Sequence, residues 1–433
     1  MKHWFRDAHF RTLMKNSSYL GMSRGVAAVC SLATLAFTGR QLGLEQFGLL
    51  VLIASYTQAA SGLSRFQSWL IPVRYGARVV HGEDVEGFRD GTNFALALDF
   101  TSGIAGMGAS IALLPLLAHW FGLPPERTRD AMLYCLLLPT MAGSTPNGIL
   151  RALDRFDLIS WSLTVTPITR TALTFAGWIL GWQIEAWLAI WFFTDLAGDL
   201  YIWFLAWREM RRKGLTKGIR PSFDTSRLAN AWPFAIKINL TASLSSAWGP
   251  IARLIVGGLL GPSSAALYRV AAVLADSTQK PADLLGRAYY PQVARMDLTT
   301  KQPWKLMRRG MIAAGIFAGA AILMMLIGGK PLLGAAFGQE FIGAYPPLLA
   351  LLVVPAMTII AFPLSPMLYA LHREDAPLKA RIVGTLAYFG CIRPMVHAFG
   401  LVGAALAYVL AHVILYAVQG LILRREFRRV RMQ

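Results

Sequence analysis

Acidic residues, paired cysteines and polar stretches of domain length are what this 433-residue sequence has little of. Only 23 Asp and Glu stand against 42 Lys and Arg. The three cysteines, Cys30, Cys135 and Cys391, each lie inside an apolar run with no paired spacing. That excludes a disulfide framework and a thiolate metal site. There is no His/Cys ligand cluster, nucleophile motif or glycine-rich phosphate loop. An enzyme reading therefore has no residues to rest on, and no cofactor is called for.

What is present is apolar length. Hydrophobic residues make up 55% of the chain and charged residues 15%. The apolar residues come in runs of about 20, the length a helix needs to cross a bilayer. The formal charge of +19 would suggest nucleic acid in a soluble protein. In a membrane protein, cytoplasmic loops rich in Lys and Arg account for it, so no nucleic-acid partner is expected.

The pattern predicts an all-α polytopic membrane protein of about twelve spans. The first half holds Tyr19–Gly39, Phe47–Ile71, Phe94–Phe121, Ala131–Leu150, Leu158–Leu180 and Ala186–Trp207. The second holds Trp232–Gly257, Ser263–Leu285, Met311–Ile327, Pro347–Leu371, Ile382–Phe399 and Leu401–Leu423. The expected organisation is a retained amphipathic N-terminus (1–18), a six-helix bundle (19–207), a basic linker (208–231), a second bundle (232–423) and a basic tail (424–433). Of the 42 Lys and Arg, 30 fall on the termini and alternate loops, whereas the opposite loops hold Arg40, Arg127, Arg129 and Lys330. This bias places both termini in the cytoplasm.

The halves match at one offset of 218 positions. Leu42 and Gly43 align with Leu260 and Gly261; Leu150, Ala152, Leu153 and Arg155 align with Leu368, Ala370, Leu371 and Arg373. Ala186, Leu188 and Ala189 align with Ala404, Leu406 and Ala407. Three matches at one shift indicate a duplication, and six spans per copy give a parallel repeat.

Eight cations lie within the spans: Arg24, Arg65, Arg170, Lys237, Arg253, Arg269, Lys280 and Arg393. They face five acids, Asp99, Asp195, Asp199, Asp276 and Asp283. Intramembrane charge costs a few kcal/mol and marks interiors or wet pathways, and a cation excess suits an anionic substrate. Ser17, Arg24, Ser31 and Thr38 recur every seven residues along span one, and Gln58, Ser61 and Arg65 share a face of span two. Arg269, Asp276, Lys280 and Asp283 form one stripe of span eight. Individually these charges could also be structural: Asp276 and Lys280 stand four apart, Lys237 and Arg24 can snorkel, and Arg170 can satisfy Asp195 or Asp199. As a set they predict a polar cavity lined by both halves.

Arg40, Leu42, Gly43, Phe47 and Gly48 resemble the end of the first helix in the polysaccharide-exporter family that includes Wzx-type O-antigen flippases. Arg253, Gly257, Gly258, Gly261 and Tyr268 look like the counterpart in the second half, and Gly148 to Phe156 like the loop after span four. The resemblance implies a member of the multidrug/oligosaccharidyl-lipid/polysaccharide (MOP) exporter superfamily, with two bundles forming a V around a cationic cavity. It implies translocation of an undecaprenyl-diphosphate-linked oligosaccharide, a precursor of lipopolysaccharide, O-antigen or exopolysaccharide, across the bacterial inner membrane by alternating access. On this reading Arg24, Arg65 and Lys237 attract the diphosphate, and Arg170, Arg253 and Arg269 hold it. Trp69, Trp248 and Tyr268 are candidates for stacking on sugars. Asp99, Asp195 and Asp276 are candidate proton or sodium sites, since some members couple to an ion gradient. Membrane lipid, a glycan polymerase and export machinery are the expected partners. Two other readings remain: a MATE-like cation-coupled small-molecule exporter, which predicts an acidic or aromatic cavity, and an O-antigen polymerase or ligase, which typically has a large outer loop.

Overall fold

The computed structural model describes residues 8–76, 79, 83–293, 296, 302–371, 373 and 375–432. Side chains of residues 8–18 and 279–295 lie outside that description, as do the N-terminal segment 1–7, Lys280 and Asp283. All regular structure among the described residues is helical, the form in which a chain crossing lipid satisfies its own backbone. Six helices, including Val85–Leu117, Ile184–Arg212 and Gln302–Phe337, are long and apolar enough to span a membrane by themselves.

Several of the remaining spans are joined or interrupted. Ala8–Ser64 is two rods meeting at Gly43, whose φ of 67° ends the first. Asp375–Met432 is likewise two rods meeting at Gly400, with φ 57°, so spans eleven and twelve share a one-residue connector. Only glycine adopts such angles without a Cβ penalty. Counting these rods and joining interrupted segments gives twelve in the expected order. Span two breaks between Ser64 and Leu70, and span four is Pro125–Tyr134, Leu138–Ala142 and Thr145–Ala152 in succession. Pro139 and Pro146 sit in the first turn of their segments, where their missing N–H costs least. Span seven is Ala231–Ser246 followed by Trp248–Leu260.

The duplication is visible in backbone geometry. Positive-φ glycines turn the chain after spans one and seven at Gly43 and Gly261, which are 218 positions apart, and after spans three and nine at Gly122 and Gly338. At the loops after spans four and ten, the Arg155 N–H donates to the Leu150 carbonyl at 2.8 Å and the Arg373 N–H to that of Leu368 at 2.9 Å. Each arginine then grips the last helix of its own half, Arg155 through Glu209 and Arg373 through Glu426 at 2.6 Å.

The chain divides into two compact units. The first comprises Met1–Leu42, Ile53–His119 and Leu123–Ile251; the second comprises Gly43–Leu52, Trp120–Gly122 and Ala252–Gln433. One boundary between these units falls between Ile251 and Ala252, inside span seven, so the start of that span belongs to the first unit. The reason is packing: Leu228, Ala231 and Ala235 are buried with Ile71, Phe94, Ala95 and Leu98 in one core cluster. In the second unit, glycines allow backbone to touch backbone. A Cβ on Gly48 would lie 2.0 Å from the Pro262 carbonyl oxygen, one on Gly257 2.4 Å from Leu52 Cδ2, and one on Gly258 1.8 Å from the Trp120 carbonyl oxygen. Within lipid such close packing, and not hydrophobic burial, holds helices together.

Gly48→Ala is expected to cost about 1–3 kcal/mol through overpacking, whereas Gly21→Ala, with nothing within 4 Å, is expected to be neutral. Melting of the detergent-solubilised variants checks this. In the loop after span four, the Arg155 guanidinium donates to both oxygens of Asp157 at 2.9 and 2.8 Å and holds its carboxyl below the usual range. A lowered folded value means stability that is present above the ordinary Asp pKa of about 3.9 and lost as pH falls through the folded value. Asp157→Asn should flatten that acid limb in a melting series.

Candidate functional site

In the first unit the helix interruptions converge on one carboxylate. Asp99, on Val85–Leu117, is 2% exposed. Its Oδ1 accepts from the Ser68 hydroxyl, and its Oδ2 accepts from the Thr145 N–H at 2.9 Å and the Thr145 hydroxyl at 2.6 Å. The Ser68 and Ser144 hydroxyls lie 2.6 Å apart, and Ser144 also meets the Trp69 N–H at 3.2 Å. Asp99 therefore seals the break in span two and caps the last segment of span four, where an anion complements the helix dipole. Its two oxygens are both occupied, an arrangement suited to holding helices.

A second cluster lies between spans five and six of this unit. Arg170 donates Nε to Thr194 Oγ1 at 2.7 Å, Nη2 to the Trp191 carbonyl at 3.3 Å, and pairs through Nη2 with Asp195. Tyr134 donates to the other oxygen of Asp195 at 3.1 Å. Asp199 stands nearby within the fields of Arg65, Arg170 and Asp195, with one buried oxygen lacking a partner. Two arginines thus face two carboxylates here, so this part of the first unit carries no cation excess.

The second unit differs. Arg253, on Trp248–Leu260, is 5% exposed. It lies in the field of Arg269, a like charge, together with Asp276, Tyr268 and Tyr388. Tyr408 feels Asp276, Arg253 and a further cation, Arg381. From Tyr388 a line of aromatic polar groups follows span twelve. The Tyr388 and Tyr408 rings are 5.6 Å apart, the Tyr408 and His412 rings 4.5 Å, and Tyr416 donates to Thr358 Oγ1 at 2.9 Å.

The expected residues are therefore placed as two groups. Arg65 and Arg170 both act on Asp199 in the first unit and Arg269 acts on Arg253 in the second, while Arg24 and Lys237 are exposed. The polar face expected along span one is partly internal: Thr38 is buried and donates to its own helix at Thr34, while Thr34 pairs with Thr171 at 3.0 Å. Trp248 at 2% and Tyr268 at 3% exposure have no free ring face for a sugar. Trp69 is partly exposed, and the Arg151 guanidinium lies over it at 4.6 Å. Sequence reasoning missed Arg381 and the Tyr408, His412, Tyr416, Gln419 line. The first stood one residue outside its predicted span; the second recurs at helical spacing and was legible as a polar face. Among the described residues no group of three His, Cys, Asp or Glu is placed to hold a metal.

Because Arg170 and Asp195 are paired, the double variant Arg170→Ala/Asp195→Ala should lose less stability than the sum of the losses of the two single variants. The expected coupling is about 0.5–3 kcal/mol, read from a double-mutant cycle.

Residues 13–297 match the family model described as "Polysaccharide biosynthesis protein". The chain is 36% identical over 348 residues to the inner membrane protein YghQ of Escherichia coli (strain K12), covering 80% of this chain and 98% of that one. It is 20% identical over 400 residues to the putative O-antigen transporter of the same organism, covering 91% and 92%. Among solved structures, the inward-facing conformation of a multidrug resistance MATE family transporter of the MOP superfamily matches with a TM-score of 0.73 at 16% identity, covering 94% and 96%. The lipid II flippase MurJ, in an inward closed conformation, matches at 0.71 and 13%, covering 97% and 90%. The fold is that of MOP-superfamily transporters, and the chain belongs to the polysaccharide biosynthesis protein family.

Proposed function

We propose that this protein is a flippase that moves an undecaprenyl-diphosphate-linked oligosaccharide from the cytoplasmic to the periplasmic leaflet of the bacterial inner membrane, with both termini in the cytoplasm. The observation that carries the reading is Arg253, a guanidinium 5% exposed inside a span and set in the field of a second cation, Arg269. A buried guanidinium in the field of a second cation as well as of Asp276 gives a site where a dianionic headgroup would add favourable charge pairing when it arrives. Family membership supports a glycan as the cargo, and the name of the Escherichia coli relative, putative O-antigen transporter, supports its transport.

In this scheme Arg24, Arg65 and Lys237 draw the diphosphate in, and Arg253 and Arg269, joined by Arg381, hold it. Arg170, engaged by Asp195 and Thr194, positions span five against span six. Asp195 and Asp276 remain the groups proposed to exchange a proton or sodium ion, whereas the hydrogen bonds around Asp99 favour a capping role for it. A glycan polymerase and export machinery are proposed to take the product.

Arg253→Ala and Arg269→Ala should each reduce translocation of a lipid-linked oligosaccharide in proteoliposomes by about tenfold or more, the scale of one lost charge-assisted contact. Deleting the gene should remove surface glycan and let the undecaprenyl-diphosphate-linked precursor accumulate on the cytoplasmic side. Full activity in both membrane-inserted variants would overturn the charge argument. A precursor that crosses but is not polymerised would indicate a polymerase.

A further inference from the structure

The connection between the sequence halves runs from Arg212, at the end of Ile184–Arg212, to Ala231, at the start of Ala231–Ser246. Some 18 residues could reach about 60 Å when extended, far more slack than a tether needs. Instead the segment is fastened. Asn93, a buried residue on Val85–Leu117 only 8% exposed, donates its Nδ2 to the Gly218 carbonyl at 3.1 Å. Its Oδ1 accepts the Arg220 N–H at 2.8 Å, and its own carbonyl accepts the Ser222 N–H at 3.1 Å. Further along, Tyr75 donates its hydroxyl to the Ala229 carbonyl at 2.7 Å. Phe223 stacks on Trp232 at 5.9 Å, and Trp232 meets Phe94 edge-on at 5.1 Å. Arg227 pairs with Glu86 at 3.1 Å, but both are exposed and that pair adds little.

A passive tether has no use for a buried side-chain amide that spends both its donor and its acceptor on the tether's backbone. We propose that the segment 214–230 is a strap kept closed throughout the transport cycle, and that Asn93 is the positioning residue that closes it. By taking up the slack, the strap makes Ala231–Ser246 a fixed part of the first unit, so movement linked to transport is not absorbed in the connection. This rests on the flippase reading for its transport readout only.

The test uses the full chain in inside-out vesicles. Trypsin cleavage at Lys217, Arg220 and Arg227 reports strap opening without any cargo. Asn93→Ala should raise that rate by about tenfold, since two hydrogen bonds to the strap are lost. It should also lower translocation of an undecaprenyl-diphosphate-linked oligosaccharide by a similar factor at equal inserted protein. In a background with Cys30, Cys135 and Cys391 replaced, joining Tyr75→Cys to Ala229→Cys with a short thiol cross-linker should restore both readouts to the Asn93→Ala chain. Loss of transport on cross-linking the chain with Asn93 intact would overturn the proposal, because the strap would then have to open. An Asn93→Ala chain with unchanged cleavage, or with faster cleavage but unchanged transport, would overturn it too. If the chain with Asn93 intact fails to move the probe at all, the flippase reading fails, while the cleavage arm still decides whether Asn93 closes the strap.

Discussion

A helix in hydrocarbon can be interrupted only where something other than water satisfies the exposed backbone groups. This constraint organises the first unit. Spans two and four are both broken, and the breaks face one buried carboxylate, Asp99, which takes the Ser68 hydroxyl and the Thr145 N–H and hydroxyl. The Trp69 N–H, freed by the break in span two, is met by Ser144 at the start of the next helix segment. Gly148 belongs to the same arrangement, since a Cβ there would lie 2.4 Å from the Trp69 carbonyl oxygen. One anion, three hydroxyls and one glycine thus allow two discontinuous helices to cross.

The duplication copied the frame and not the interior. The turn glycines and the arginine grips at Arg155 and Arg373 recur in both halves, because every copy must reverse direction and anchor its last helix. At the same 218-residue shift, Arg170 becomes Tyr388 and Thr194 becomes His412. The seam between the last two spans is polar in each half, but it is ionic in the first and aromatic in the second. Asp195 and Asp199 accompany the arginines of the first unit, whereas Arg253 lies in the field of Arg269 as well as of Asp276.

The Gly43 turn, the cation Arg253 and the span order were legible in the sequence because each depends on local pattern: a glycine after an apolar run, or a charge within one. Asp99 was visible as an intramembrane acid, but its capping role was not. Its partners, Ser68 and Thr145, lie 31 and 46 positions away. Asn93 stands one residue before the predicted span Phe94–Phe121, and its partners stand 125 and 127 positions further on. The end of the polar linker looked unremarkable in composition, but Leu228, Ala231 and Ala235 are buried in the first unit's core with residues more than 100 positions earlier, Ile71 and Phe94 among them.

Sequence alone determined that the chain crosses a membrane many times, that it is a duplication, and that cations outnumber acids within its spans. Hydropathy, periodicity and charge are properties of residues in order, so they survive without coordinates. Which charges are neutralised was decided by tertiary structure alone. Arg170 and Arg253 are the same side chain in the same kind of helix. The first meets Asp195 across a helix pair, and the second is set among Arg269, Tyr268, Asp276 and Tyr388. That difference is made of distances between segments remote in sequence, and only folding creates them.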